Sequence, residues 1–208
     1  MQSPKSINGC DVQTSKRLSW ILRHGALKEG LNISDEGFIL VSEILNSKGF
    51  ETISVDDIQR IVLNNDKQRF TLRKNGIGLL EVRANQGHSI HNVTKLELIP
   101  ITNSGQVEAI IHGTYFKFWD SIKQEGLFRG RRNHIHFAER LPGNTNISGI
   151  RKSAEIYIYI DLIKCLVDGL LFFKSSNHVI LSSGNEHGYI KPKYFLKVCR
   201  AIDGYNLI

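Results

Sequence analysis

Cysteine is scarce in this chain of 208 residues, with three, Cys10, Cys165 and Cys199. Their odd number and wide spacing exclude a disulfide framework and read as free thiols of a reducing compartment. Proline occurs only four times, which excludes polyproline and collagen-like architectures. No run of about 18 apolar residues occurs, so no membrane partner is expected. The segment from Met1 to Cys10 lacks an apolar stretch, so no secretory signal is expected either. An intracellular protein of the cytoplasm, the nucleus or both fits these absences. Internal repeats and low-complexity stretches are missing too. No cysteine or carboxylate stands at ligand spacing from the histidines, so no metal is expected.

What is present is an ordinary globular composition, 41% hydrophobic and 23% charged, with a net charge of +7. A basic balance favours anionic partners such as nucleic acid or nucleotides. The excess is uneven. Residues 1–105 carry 13 Lys and Arg against 11 Asp and Glu, whereas residues 106–208 carry 14 against 9. Between Arg129 and Lys152 there are six basic side chains and one acid, Glu139. A solvated basic face would explain such a run without any ligand.

Pro100 and the small polar loop Thr102-Asn103-Ser104-Gly105 suggest a boundary, giving lobes over 1–102 and 106–208. In the first, Leu18, Ile21 and Leu22 share one helical face. The spacing predicts that this helix ends at Gly25. Ser54, followed by Asp56 and Asp57, reads as a helix start, and Ile58, Ile61 and Val62 continue its buried face. Arg69 to Arg73 and Leu79 to Arg83 read as strands split by Asn75-Gly76. Three helices and a hairpin follow the order of a winged helix. In the second lobe, strands are expected at Ala109–His112, Ile135–Ala138, Ile156–Ile160, Leu170–Phe173 and Val179–Leu181. Helices are expected from Phe116 to Gln124 and after Pro192. The pattern is α+β.

Several polar constellations interrupt this pattern. Arg23-His24 stands before Gly25, where cations also suit a helix C-terminus. Arg69 lies in Asn65-Asp66-Lys67-Gln68-Arg69-Phe70. His112 closes a predicted strand, and Gly113 after it would let a ligand approach the backbone, with Thr114 adding a hydroxyl. His134 and His136 share a strand face. Arg151 follows Gly149 beside an Ile-Tyr-Ile-Tyr-Ile strand, where an unpaired guanidinium is costly to bury, so a phosphate or carboxylate partner is expected.

The order of these motifs resembles that of the tRNA 2′-phosphotransferases, the Tpt1/KptA family, from about Thr14 to Val198. It rests on Ser15-Lys16-Arg17-Leu18-Ser19, Leu22-Arg23-His24, Asn65 to Phe70 and Gln86-Gly87-His88-Ser89. It continues through His112-Gly113-Thr114, Asn133-His134-Ile135-His136, Ser148-Gly149-Ile150-Arg151, Asp168 to Phe173, Asn177 to Leu181 and Pro192-Lys193-Tyr194-Phe195. Each motif is weak alone; their joint order is specific. Ile150 departs from the family's usual methionine, a volume-conserving change.

The resemblance implies a winged-helix-like N-terminal RNA lobe and an ADP-ribosyltransferase-like C-terminal NAD lobe, in a monomer. NAD would be consumed as phosphate acceptor, and RNA with an internal 2′-phosphate at a tRNA splice junction would be the partner. The family's Arg-His-Arg-Arg set falls on Arg23, His24, Arg69 and Arg151. His112, Gly113, Thr114, His136, Ser148 and Gly149 would contact NAD; Lys16, Arg17 and His88 would contact RNA. Three rivals compete. A non-enzymatic winged-helix RNA binder leaves His112-Gly113-Thr114 and Arg151 unexplained. A two-histidine phosphodiesterase needs a second H-x-[ST] motif on a strand, which His88-Ser89-Ile90, His134-Ile135-His136 and His178-Val179-Ile180 do not supply. An NAD-dependent ADP-ribosyltransferase acting on nucleic-acid phosphate ends would use the same NAD lobe.

Overall fold

The computed structural model describes residues 9–142 and 149–208. Helices and small antiparallel sheets make an α+β fold. The chain divides between Glu97 and Leu98 into two compact units. The division precedes the polar loop at 102–105, because Ile99–Ile101 is already a strand of the second unit's sheet.

The first unit opens with α1 (Gly9–Trp20). A π-helical turn follows, Ile21–Gly25, in which the Ala26 N–H reaches the Ile21 carbonyl. A 3-10 turn, Ala26–Glu29, then ends at Gly30 with φ 71°. The expected stop at Gly25 is therefore not observed. Gly25 answers a packing need instead, since an added Cβ would lie 2.3 Å from the Trp20 ring. The unit continues through β1 (Ile39–Leu40), α2 (Val41–Leu45), α3 (Val55–Leu63), β2 (Phe70–Lys74) and β3 (Leu80–Ala84), with sheet order β1-β3-β2. The hairpin loop is longer than the Asn75-Gly76 signal implies. Asn75 Oδ1 accepts from the N–H groups of Ile77 and Leu79, and Gly78, not Gly76, has positive φ. Leu18, Ile21, Leu22, Ile44, Phe50, Ile58 and Val82 pack into one apolar core.

The second unit holds β4 (Ile99–Ile101), β5 (Ile111–Thr114), α4 (Phe116–Glu125), β6 (Leu127–Phe128), β7 (Ile135–Phe137) and β8 (Ile156–Ile160). After them come α5 (Leu162–Val167), β9 (Phe172–Lys174), β10 (Ile180–Ser182), β11 (Tyr189–Ile190) and β12 (Phe195–Arg200). One sheet runs β4-β9-β10-β7, another β12-β8-β5, and β11 and β6 form a ribbon. In β8 the isoleucines are buried and the tyrosines partly exposed, as period-2 alternation requires. The Ile111–Ala138 bridge joins β5 to the end of β7. Here Asp168 is a structural tie. Its Oδ2 accepts from Lys193 Nζ at 2.7 Å and Tyr194 OH at 2.8 Å, fastening the end of α5 to the turn before β12.

The start of α3 yields a pH-dependent prediction. Ser54 and Asp57 form a reciprocal capping box. The Ser54 hydroxyl and backbone N–H, then Arg60, hold the Asp57 carboxyl at about 2 instead of 3.8. Because the folded value is depressed, this stabilisation is complete above the unfolded value and is lost as pH falls toward about 2. Ser54→Ala should cost about 1 kcal/mol near neutral pH. In urea denaturation, the gap between wild type and variant should shrink as pH falls through that window.

Candidate functional site

In the first unit, Arg23 and His24 ride on the π turn. Such turns widen a helix by one residue and recur at functional sites. The segment Gln86–Ser89 lies against it. The Ser89 N–H donates to the Arg23 carbonyl at 2.9 Å, and Ser89 Oγ lies 2.9 Å from His24 Nδ1. Gly87, with φ 92°, lets this segment come close: an added Cβ would sit 3.3 Å from Arg23 Nε. His88, expected at the RNA surface, is instead 2% exposed and packs beside Gly37.

Arg69 precedes β2 and is half-buried. Asn65 Oδ1 accepts from its backbone N–H at 3.1 Å and from its Nη1 at 3.2 Å. The turn that allows this clamp puts Gln68 in the left-handed region, φ 43°. Asn85 secures the turn, donating its side-chain N–H to the Gln68 carbonyl at 2.7 Å and its backbone N–H to the Arg69 carbonyl at 2.8 Å. Burial lowers the Arg69 pKa, and nearby Asp66 partly offsets this; a guanidinium remains charged regardless. Of the expected RNA contacts, Lys16 is exposed. Arg17 is already engaged, donating to Glu29 at 3.0 Å and to the Lys48 carbonyl at 3.1 Å while lying over Trp20.

In the second unit, a cavity of about 290 Å³ gathers His112, Gly113, Thr114, His136, Gly149 and Arg151. Of the residues expected to contact NAD, Ser148 alone lies outside the described residues. The same cavity is lined by Tyr115, Phe118, Phe128, Arg129, Arg132, His134 and Ile135. Strand β5 begins and ends two residues later than the sequence pattern suggests, so Gly113 and Thr114 lie within it, opposite Tyr157 and Ile156. Gly113 is needed for packing. Its Cβ would meet Ile150 Cγ2 at 2.6 Å and Ala154 Cβ at 3.0 Å. Gly149, at φ 100°, lies so close to β7 that a Cβ would be 2.5 Å from the Phe137 carbonyl oxygen. The two glycines thus press the segment bearing Arg151 onto the strands. Arg151 itself is exposed. This corrects the argument from burial: its guanidinium stands at the cavity rim in solvent, so no desolvation forces a partner on it.

The cavity is electropositive. His112 Nδ1 lies 2.9 Å from the His136 carbonyl oxygen, which can only accept, so Nδ1 carries the proton. Burial pushes the His112 pKa below 6.5, and Arg132 adds to the effect. Burial and then Arg129 lower His134 in the same way. Arg132 is itself lowered by burial and by Arg151. Arg129 Nη1 donates to the Arg132 carbonyl at 3.0 Å. Tyr115 meets Ser153 Oγ at 2.9 Å; this bond and Arg151 lower its phenol from 10.0. Phe128 stacks on Tyr189 with centroids 4.5 Å apart. The aromatic lining was not singled out from sequence. Tyr115, directly after His112-Gly113-Thr114, was the available signal.

One contrast separates these cations from the rest. Arg17, Arg60, Arg73, Arg83, Arg140 and Arg200 all pair with carboxylates. Among the described residues, Arg69, Arg129, Arg132 and Arg151 form no ion pair with a carboxylate, and neither does the exposed Arg131; Arg69 and Arg129 donate instead to neutral oxygens. Such a set suits an anion supplied from outside. The described residues contain no group of three His, Cys, Asp or Glu side chains arranged to hold a metal. No described helix is long and apolar enough to cross a membrane.

Comparison with known proteins gives a consistent result. Residues 10–184 match the family described as RNA 2′-phosphotransferase, Tpt1/KptA family. The tRNA 2′-phosphotransferase 1 of Danio rerio is 46% identical over 194 residues, spanning 91% of this chain and 86% of the relative. That of Homo sapiens is 48% identical over 189 residues, 89% and 74% of the two chains. The tRNA 2′-phosphotransferase of Saccharomyces cerevisiae is 40% identical over 181 residues, 83% and 79%.

The cavity's electrostatics can be measured. In an NMR titration of ring carbon-bound protons, His112 should titrate below the ordinary histidine value of 6.5. Arg132→Ala removes a repelling charge and should move that midpoint upward. A midpoint that stays put would assign the depression to burial alone.

Proposed function

Because the chain belongs to the RNA 2′-phosphotransferase, Tpt1/KptA family, we propose that it moves the internal 2′-phosphate of spliced tRNA onto NAD. The products are RNA with a 2′-OH, ADP-ribose 1″,2″-cyclic phosphate and nicotinamide. The observation that carries this reading is the set of arginines without carboxylate partners, Arg69 in one unit and Arg129, Arg131, Arg132 and Arg151 in the other. Six other arginines, Arg17, Arg60, Arg73, Arg83, Arg140 and Arg200, are by contrast paired with carboxylates of the chain itself.

On this reading the first unit is a winged-helix-like RNA lobe and the second an ADP-ribosyltransferase-like NAD lobe. The donor chemistry of the second unit's cavity fits a dinucleotide. Arginines suit its pyrophosphate, Tyr115, Phe118 and Phe128 offer faces to its rings, and Gly113 and Gly149 keep backbone close to the cavity. Of the residues expected to contact RNA, Lys16 is the exposed cation without an ion pair available to RNA phosphates. His88, being interior, leaves that set.

The chemistry divides into two displacements. First, the RNA 2′-phosphate attacks the anomeric carbon of the nicotinamide ribose and nicotinamide leaves, giving an RNA 2′-phospho-ADP-ribose branch. Next, the ribose 2″-OH attacks the phosphorus and the RNA 2′-oxygen departs, taking up the proton that the hydroxyl gives up. The first displacement starts from an anion that needs little activation. In the second, negative charge builds on the phosphoryl oxygens and the leaving oxygen. Guanidinium forks from Arg23 and Arg69 of the first unit are suited to that charge because they remain protonated and match oxygen pairs. His24 is suited to carry the proton.

Two outcomes follow. With an internally 2′-phosphorylated oligonucleotide, dephosphorylation should require NAD, survive chelators and release nicotinamide without inorganic phosphate. Free phosphate in the absence of NAD would overturn the assignment. Arg69→Ala should slow the second displacement by roughly 10²–10³-fold, as loss of one charge-stabilising donor does, and the first much less. The branched RNA should then accumulate as a retarded band on a gel; equal slowing of both steps would reassign Arg69 to binding.

A further inference from the structure

We propose that Ser89 is the positioning residue for His24, fixing which ring nitrogen faces the transferred phosphate. The proposal deepens the phosphotransferase reading and rests on it for the identity of the substrate. Ser89 arrives from the segment after β3, distant in sequence from the π turn, and is tied there by its own backbone. Its N–H donates to the Arg23 carbonyl at 2.9 Å. The hydroxyl is thereby set between two groups, the Arg23 carbonyl at 3.5 Å and His24 Nδ1 at 2.9 Å.

A hydroxyl carries one proton and two lone pairs. On the proposed assignment the hydroxyl proton turns toward the carbonyl, which can only accept. The lone pair is left for Nδ1, which must then carry a proton of its own. Neutral His24 is thus held as the Nδ1–H tautomer, and Nε2 is the atom that gains and loses a proton. The same Nδ1–H···Oγ bond persists when the imidazole is charged, so the ring does not reorient as the proton comes and goes. That arrangement is useful in the second displacement, where a proton leaves the attacking hydroxyl and one must reach the departing RNA oxygen. In histidine generally, the partner of one ring nitrogen decides the state of the other. Gly87 contributes by allowing the segment to lie on Arg23, and the π turn contributes by directing Arg23 and His24 toward it.

The test is long-range ¹⁵N–¹H correlation NMR of the full chain labelled at histidine, with the His24 signals assigned by their loss in His24→Gln. Wild type should show the Nδ1–H tautomer. Ser89→Ala should release the ring toward Nε2–H, and Ser89→Thr, which keeps the hydroxyl, should restore Nδ1–H. Turnover should fall about 10- to 100-fold in Ser89→Ala, the scale of losing an outer partner of a working imidazole. KM should change little and Ser89→Thr should recover most of the rate. Wild type in the Nε2–H form, or a tautomer indifferent to Ser89→Ala, overturns the proposal. If Ser89→Ala does not fold, the wild-type tautomer decides alone. The expected tautomers in a wild-type chain that transfers no phosphate would sustain the positioning and sink the functional reading instead.

Discussion

A guanidinium kept for an incoming phosphate cannot also be committed to a carboxylate, yet one stripped of water without any acceptor costs free energy. On the proposed reading the protein meets both conditions with neutral oxygens. Arg69 is held by the Asn65 amide oxygen, Arg129 by the Arg132 carbonyl and His112 by the His136 carbonyl. A neutral acceptor fixes direction and leaves net charge in place. The local irregularities serve this arrangement. Gln68 adopts the left-handed conformation in the turn that brings the Asn65 amide to Arg69, and Gly113 and Gly149 admit the segment that ends at Arg151. The cost shows in the histidines of the second unit, whose protonation is opposed by burial and by the neighbouring arginines.

Regular structure was largely legible where one periodicity dominated. The Ser54 start, the alternation of β8 and the span of α4 follow from side-chain pattern alone. Boundaries slipped where a polar side chain took over the work of the backbone or where chain order hid a pairing. Asn75 lengthens the hairpin loop by accepting two N–H groups, which a Gly signal cannot disclose. Strand β4 belongs with β9, far along the chain, so the polar loop after Pro100 looks like a junction although the division lies before it.

The site was legible as a list of residues and not as a set of contacts. His112, Gly113, Thr114, His136, Gly149 and Arg151 share one cavity, as the motifs implied, but the reasons differ from those the sequence offered. Gly113 is small because Ile150 and Ala154 occupy the space beside it, and Arg151 is in solvent. Asn65 and Ser89 stood inside motifs without a role of their own and Asn85 was not named, because hydroxyls and amides are common in turns, and nothing local marks the one that reaches across to an arginine or a histidine. His88 shows the reverse error: a histidine in a polar motif reads as surface until burial is known.

The π turn at Ile21–Gly25 has a further consequence, for chain length. It is an α-helix carrying one residue more than regular winding allows. Removing one residue ahead of Arg23 would close it to regular winding and leave the segments on either side in place, so the side chains inside the turn are the ones that would swing. Such a chain would keep its hydrophobic content and its helix propensity, and would carry Arg23 and His24 on a different face. For this segment the number of residues carries as much information as their identity, and relatives compared here must be matched through the extra position rather than around it.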